Sequence, residues 1–374
     1  MLLKALHVTQ YRFSMEWSKI EPEEGKWDTE AVRHYREEVA ILKENGIAPL
    51  ITINHYTLPR WVAKKGGWRW EGMPDAFARY SEFLYREVAP EATDWITLNE
   101  PMVVILRGYM TGEYPPGCAS DKTACLPLRH MVQAHGRAYH RLHAIALETG
   151  RTIRVGVAHH LRVFQPLRVA GMGSRLDNTV AKTMDAFFNW AFPDAIEDGH
   201  LVVSLPSSLE INEFIPEAVR TQDYFGLNYY SREIVRFQLR SRTHYEIVPA
   251  CGGDEASDVG WRIYPSGLYE MLKEVHWRFP GKPIFITENG IADAADAKRA
   301  RFLLDHLAVL HRAIQEGVPV VGYCHWSLMD NFEWIDGFAP RYGLYALDYR
   351  TRALTLRESG KLFAKIAAEN AISK

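Results

Sequence analysis

Two stretches of this chain end a run of strand-forming residues on a carboxylate, and together they restrict what the chain can fold into. Ile284-Phe285-Ile286-Thr287 runs into Glu288, Asn289 and Gly290, so a buried strand ends by presenting Glu288 at its carboxyl end. Trp95-Ile96-Thr97-Leu98-Asn99 delivers Glu100 in the same way, and Pro101 stops that strand from continuing. Either one alone reads as a strand stopping at a turn. As a pair they place two carboxylates where parallel α/β folds keep their chemistry, at the carboxyl ends of the strands.

Seven such strand segments can be counted, near residues 11, 48, 95, 153, 224, 284 and 320. Helical patterns separate many of them. Residues 29–45 close on Asn45-Gly46, residues 129–149 are strongly helical, and a helix from about Asp296 to Gln315 is closed by Gly317 and Pro319. At 374 residues the chain exceeds a typical single domain. A (β/α)8 barrel with insertions reaches this length as one unit, so residues 1–374 are expected to form one domain.

Composition excludes several functions. Lys plus Arg number 44 against 46 for Asp plus Glu, which leaves no surplus for a polyanion and points to no nucleic-acid partner. No apolar run approaches a membrane span and the first residues lack a signal-peptide core, so no membrane partner and a cytoplasmic location are expected. Cys118, Cys125, Cys251 and Cys324 show no framework spacing and are expected to be reduced. Cys118 and Cys125 with His130 and His135 match none of the common zinc spacings, and His159-His160 has no carboxylate at ligand spacing, so neither a metal nor an organic cofactor is implied. The paired histidines read as lining a loop or the rim of a cleft.

Two strand-end carboxylates are the minimum equipment for cleaving a glycosidic bond: one protonates the leaving oxygen while the other attacks the anomeric carbon or activates water. The segments Thr97-Leu98-Asn99-Glu100-Pro101 and Thr287-Glu288-Asn289-Gly290 resemble the acid/base and nucleophile signatures of the glycoside hydrolase family 1 β-glycosidases. The resemblance runs from about Tyr11 to the last helix, because further motifs follow in order: Tyr11-Arg12-Phe13-Ser14, Trp326-Ser327-Leu328, and Asp330-Asn331-Phe332-Glu333-Trp334. It implies an α/β fold, a TIM (β/α)8-type barrel that is incomplete here, with seven recognisable strands.

The resemblance also implies roles. Glu288 is the expected nucleophile and Glu100 the expected acid/base, with their carboxyls about 5 to 5.5 Å apart as retention requires. Arg12 would point at Glu288 and keep it ionised, and Tyr230 would contact it. His55, Asn99 and Asn228 belong to the expected sugar-binding set. Trp326 would form a stacking platform, Glu333 would accept from two sugar hydroxyls, Trp334 would flank the sugar and Tyr342 would line the entrance. Tyr56 replaces the family's usual Trp, and Met102 stands where many relatives carry a Trp. Glu333 would repel a phosphate, which favours unphosphorylated sugar.

The family's first strand, with its sugar-binding Gln, has no counterpart, since only ten residues precede Tyr11. A barrel short of one strand exposes two sheet edges. A gapped and partly mobile barrel is the preferred expectation, ahead of a homo-oligomer or a swapped segment covering the gap. The expected activity is two-step hydrolysis of terminal nonreducing β-D-glucosyl, galactosyl or fucosyl residues from a small β-glycoside or oligosaccharide. The alternative is a carbohydrate-binding relative with little turnover.

Overall fold

In a computed structural model, residues 2–169, 172–173, 175–206, 209–241, 244–251 and 253–372 are described. All seven expected strands form: β1 (Gln10–Ser14), β2 (Ala48–Asn54), β3 (Asp94–Asn99), β4 (Arg154–Pro166), β5 (Tyr224–Phe237), β6 (Ile284–Asn289) and β7 (Val320–His325). They follow one another in the sheet in chain order. Registers pair Arg12 with Leu50, Asn54 with Leu98, Asn99 with Ala158 and Asn289 with His325, each between parallel strands.

Parallel strands are joined through crossover helices, and this explains the burial pattern. Every residue of β3 and β6 is buried, because one face packs on helices and the other on side chains from neighbouring strands. The strands at the two ends of the order differ. Four of the five residues of β1 are half-buried, and Val321 of β7 is 49% exposed. Each has a single strand neighbour in the order, so less of its surface is covered.

The chain divides into two compact units. The first comprises residues 10–160 and 186–226. It holds β1 to β3, most of the buried start of β4, and the helix Cys125–Glu148. The helix Thr29–Glu44 starts where Asp28 accepts a hydrogen bond from the Ala31 N–H and ends at Asn45, with Gly46 in the left-handed region that its turn requires. Trp17, Trp68, Phe77, Tyr80 and Trp95 form its aromatic interior, with Trp17 and Tyr80 stacked at 4.6 Å between ring centroids. The second unit comprises residues 1–9, 161–185 and 227–374. There Leu6, Leu303, Leu344, Tyr345 and Ala364 cluster, and the buried Asp330 is clamped by the Arg357 guanidinium at 2.9 and 3.0 Å.

Some elements carry no mark in the sequence reading. The antiparallel hairpin of His200–Leu205 with Leu209–Phe214 has short strands with clean buried–exposed alternation but no polar tip. Among the described residues, no helix is long and apolar enough to cross a membrane.

Gly290, just past β6, lies so close to β7 that a Cβ there would fall 1.9 Å from the Trp326 carbonyl oxygen. Gly290→Ala is therefore expected to cost on the order of 2–4 kcal/mol, read from the urea-unfolding midpoint. An unchanged midpoint would show that these two strand ends separate without cost.

Candidate active site

In the first unit, the site residues lie at the ends of β1 to β4, and a chain of hydrogen bonds fixes their orientation. Arg12 donates from Nε to Thr52 Oγ1 at 3.1 Å and from Nη2 to Asn99 Oδ1 at 2.6 Å. A guanidinium only donates, so the oxygen of Asn99 faces Arg12 and its Nδ2 points at His55 Nε2, 2.9 Å away. His55 Nε2 must then accept, which leaves the proton on Nδ1 to be donated to Ser14 Oγ at 3.1 Å. Burial, reinforced by the Arg12 charge and opposed by Glu100, lowers the His55 pKa to about 3, so this ring stays neutral at any working pH.

Glu100 ends β3 with φ of 47°, a left-handed conformation that costs a non-glycine residue of order 1 kcal/mol or more. Its N–H donates to the Ala158 carbonyl at 2.7 Å, and the following Pro101 begins a helical turn. The side chain is buried. Tyr56, itself at φ of 70°, donates its hydroxyl to Glu100 Oε2, and His160 Nδ1 lies 3.2 Å from Oε1. Arg12, His55 and Asn99 thus form one network, with Glu100 beside it.

The sequence reading placed His159-His160 on a loop or cleft rim. The structure instead buries both within β4, which runs on to Pro166. Tyr56 was noted only as a replacement for Trp, and its bond to Glu100 was missed. Register supplied a usable signal, since Asn99 pairs with Ala158 and His160 lies two residues on, on the same face of β4. His130 and His135 contact backbone carbonyls of Trp68 and Thr221 through one ring nitrogen each. Among the described residues, no group of three or more His, Cys, Asp or Glu is arranged to hold a metal ion.

In the second unit, Glu288 is buried at the end of β6, and the Tyr230 hydroxyl donates to its Oε2 at 2.6 Å. Tyr230 packs with Tyr342, Trp261 and Trp326 around Ala292. Asn228, two residues before Tyr230 on β5, accepts from the Thr287 hydroxyl at 2.6 Å, which ties β5 to β6 one residue before the carboxylate. Asn289, next to Glu288, is held by the Tyr229 carbonyl at 2.7 Å and the Tyr323 hydroxyl at 2.8 Å. Trp326 donates from Nε1 to Glu333 Oε1 at 3.2 Å. Trp334 follows Glu333, half-buried and at φ of 55°, and opens the short 3-10 turn Trp334–Asp336.

Burial, with the charges of Glu288 and Asp336, raises the Glu333 pKa from 4.5 to about 7 against the Trp326 and Asn331 hydrogen bonds. The folded form therefore binds this proton more tightly than the unfolded chain, and stability falls as pH rises from 4.5 through about 7. Glu333→Gln removes that loss. Its thermal midpoint relative to wild type is expected to rise between ~pH 5 and ~pH 7, and a difference independent of pH would contradict the shift.

Comparison with known proteins agrees with this geometry. Residues 1–372 match the model of glycosyl hydrolase family 1. The chain is 31% identical to a β-galactosidase of Sulfolobus acidocaldarius, over 95% of this chain and 73% of that protein. It is 32% identical to a chloroplastic galactolipid galactosyltransferase of Arabidopsis thaliana, over the whole chain but only 57% of that protein's length. A Thermotoga maritima β-glucosidase solved in complex with glucoimidazole superposes with a TM-score of 0.89 at 31% identity, covering 100% of this chain and 86% of that one. The seven parallel strands and their helices are thus the barrel of these glycosidases, and the chain belongs to glycosyl hydrolase family 1 as a glycoside hydrolase.

Proposed function

We propose that this protein is a retaining β-glycosidase, one catalytic domain that removes terminal nonreducing β-D-glucosyl, galactosyl or fucosyl residues from small unphosphorylated glycosides in the cytoplasm. The observation that carries the reading is that each of two buried strand-end carboxylates is met by a tyrosine hydroxyl, Glu100 by Tyr56 and Glu288 by Tyr230. A tyrosine hydroxyl fixes the direction of a buried carboxyl group, which suits a group that must exchange a proton or attack carbon along a set line.

Glu288 attacks the anomeric carbon as the bond to the leaving oxygen breaks, and Glu100 gives that oxygen its proton. Glu100, now ionised, then takes a proton from water as the water displaces Glu288 from the sugar. Arg12, fixed by Thr52 and Asn99, contributes the positive charge of the site, and neutral His55 holds the amide of Asn99, which with Asn228 supplies hydrogen bonds to sugar hydroxyls. Trp326 stacks on the sugar, Trp334 flanks it, Glu333 accepts from its hydroxyls and Tyr342 lines the entrance beside Tyr230. The β-galactosidase and β-glucosidase similarities support both hexoses as substrates.

The test is release of nitrophenol from aryl β-glucoside, β-galactoside and β-fucoside by wild type and Glu288→Gln in parallel. Wild-type turnover with a bell-shaped pH profile is expected, falling at least ~1,000-fold in the variant, together with β-anomeric first product by proton NMR. Equal, negligible rates in both proteins would instead indicate a carbohydrate-binding relative, and α-anomeric product would exclude retention.

A further inference from the structure

The side chain of His160 has no role in the reaction as described, yet it stands closer to the acid/base carboxylate than any residue of the expected sugar-binding set is shown to. Its Nδ1 is 3.2 Å from Glu100 Oε1, with only 4% of the imidazole and 6% of the carboxyl side chain accessible to solvent. The Phe188 ring stands nearly perpendicular to the imidazole at 5.7 Å between centroids, which limits how far it can swing away. Tyr56 already donates to Oε2, so Oε1 is the oxygen left to carry the transferable proton. Nδ1 lies 3.2 Å from that oxygen.

Three other groups set the charge around this pair. Tyr56 is neutral and donates. His55 is held neutral by burial, and its titration responds both to Arg12 and to Glu100. Arg12 is the fixed cation of the network. On the reading above, Glu288 is the carboxylate on the other side of the substrate. None of the three neighbours can take up the proton of Glu100, because Arg12 has no free lone pair, His55 Nε2 is occupied by Asn99 and Tyr56 is already donating. His160 can.

Resting on the assignment of Glu100 as acid/base, we propose that His160 is a positioning residue that shares one proton with Glu100 across the Oε1···Nδ1 contact and so keeps the acid loaded. The proton resides on either atom without changing the net charge of the pair, and removing it leaves an uncompensated buried anion. Two microstates hold the proton where an isolated carboxyl has one, so the pair keeps it to higher pH. During glycosylation the proton passes from Oε1 to the leaving oxygen, with Nδ1 returning its share. During deglycosylation the proton lost by water returns to Oε1, and the pair is reset.

The experiment is the pH profile of kcat/KM on an aryl β-glycoside for wild type, His160→Asn, His160→Gln and Glu100→Gln. Asn and Gln hydrogen-bond to Oε1 but cannot bind the proton. The alkaline limb is expected to move to lower pH in both, by about 0.3 unit where the two sites hold the proton equally and by more where Nδ1 is the stronger base, whereas a purely structural role would lower the rate at every pH and leave the limb in place. Glu100→Gln should lose the limb altogether. If it keeps the limb, Glu100 is not the acid and the mechanism itself fails; if it loses the limb while both His160 variants keep theirs, only the shared proton is overturned. Wild-type protein supplies a measurement independent of folding in the variants. The 15N resonance of His160 Nδ1 should titrate with the alkaline limb, and a resonance constant across it overturns the proposal.

Discussion

A carboxylate taken out of water must be satisfied by hydrogen bonds or give up its charge, and this constraint governs the surroundings of both Glu100 and Glu288. Glu100 and Glu288 are each more than nine-tenths buried. Each receives a tyrosine hydroxyl from a neighbouring strand segment, Tyr56 just past the end of β2 and Tyr230 from the middle of β5. Parallel pairing makes this arrangement available. It brings the carboxyl ends of consecutive strands to one end of the sheet, so that residues distant in sequence converge there without loops having to carry them.

Orientation in the first unit follows from the donor-only character of one side chain. Because Arg12 cannot accept, Asn99 must turn its oxygen toward it, His55 must accept from Asn99, and Ser14 receives the remaining imidazole proton. Four side chains are thereby locked into one pattern of donors and acceptors, and burial with the Arg12 charge keeps the imidazole neutral. In the second unit the corresponding work is done by Thr287 with Asn228 and by Asn289 with Tyr229 and Tyr323, which fix β6 on either side of Glu288.

Asp330 and Glu333, both in the second unit, behave differently from one another because their surroundings differ. Asp330 is more deeply buried than Glu333, but its guanidinium clamp and the Gly343 and Leu347 N–H groups outweigh burial and hold its pKa below the usual value. Glu333 has only the indole of Trp326 and an amide to set against burial and the Glu288 charge, and its pKa rises. One is a structural anion, and the other is a polar group waiting for a hydroxyl-bearing partner.

The strands and their carboxylates could be read from the chain because local patterning encodes them: an apolar run stopped by Glu-Pro or Glu-Asn-Gly is a strand with a polar tip whatever surrounds it. The exposure of β1 and β7 relative to the strands between them also follows from counting seven such runs. The sequence by itself therefore determined the order of the seven parallel strands, the family and the two candidate carboxylates. Only the tertiary structure decided that Tyr56 is a donor to Glu100, that His160 lies buried against the same carboxyl, and that the Glu333 pKa is raised. Those facts depend on parallel register, which sets residues 44 and 60 positions apart in sequence against Glu100, and on burial, which no single segment of the chain specifies.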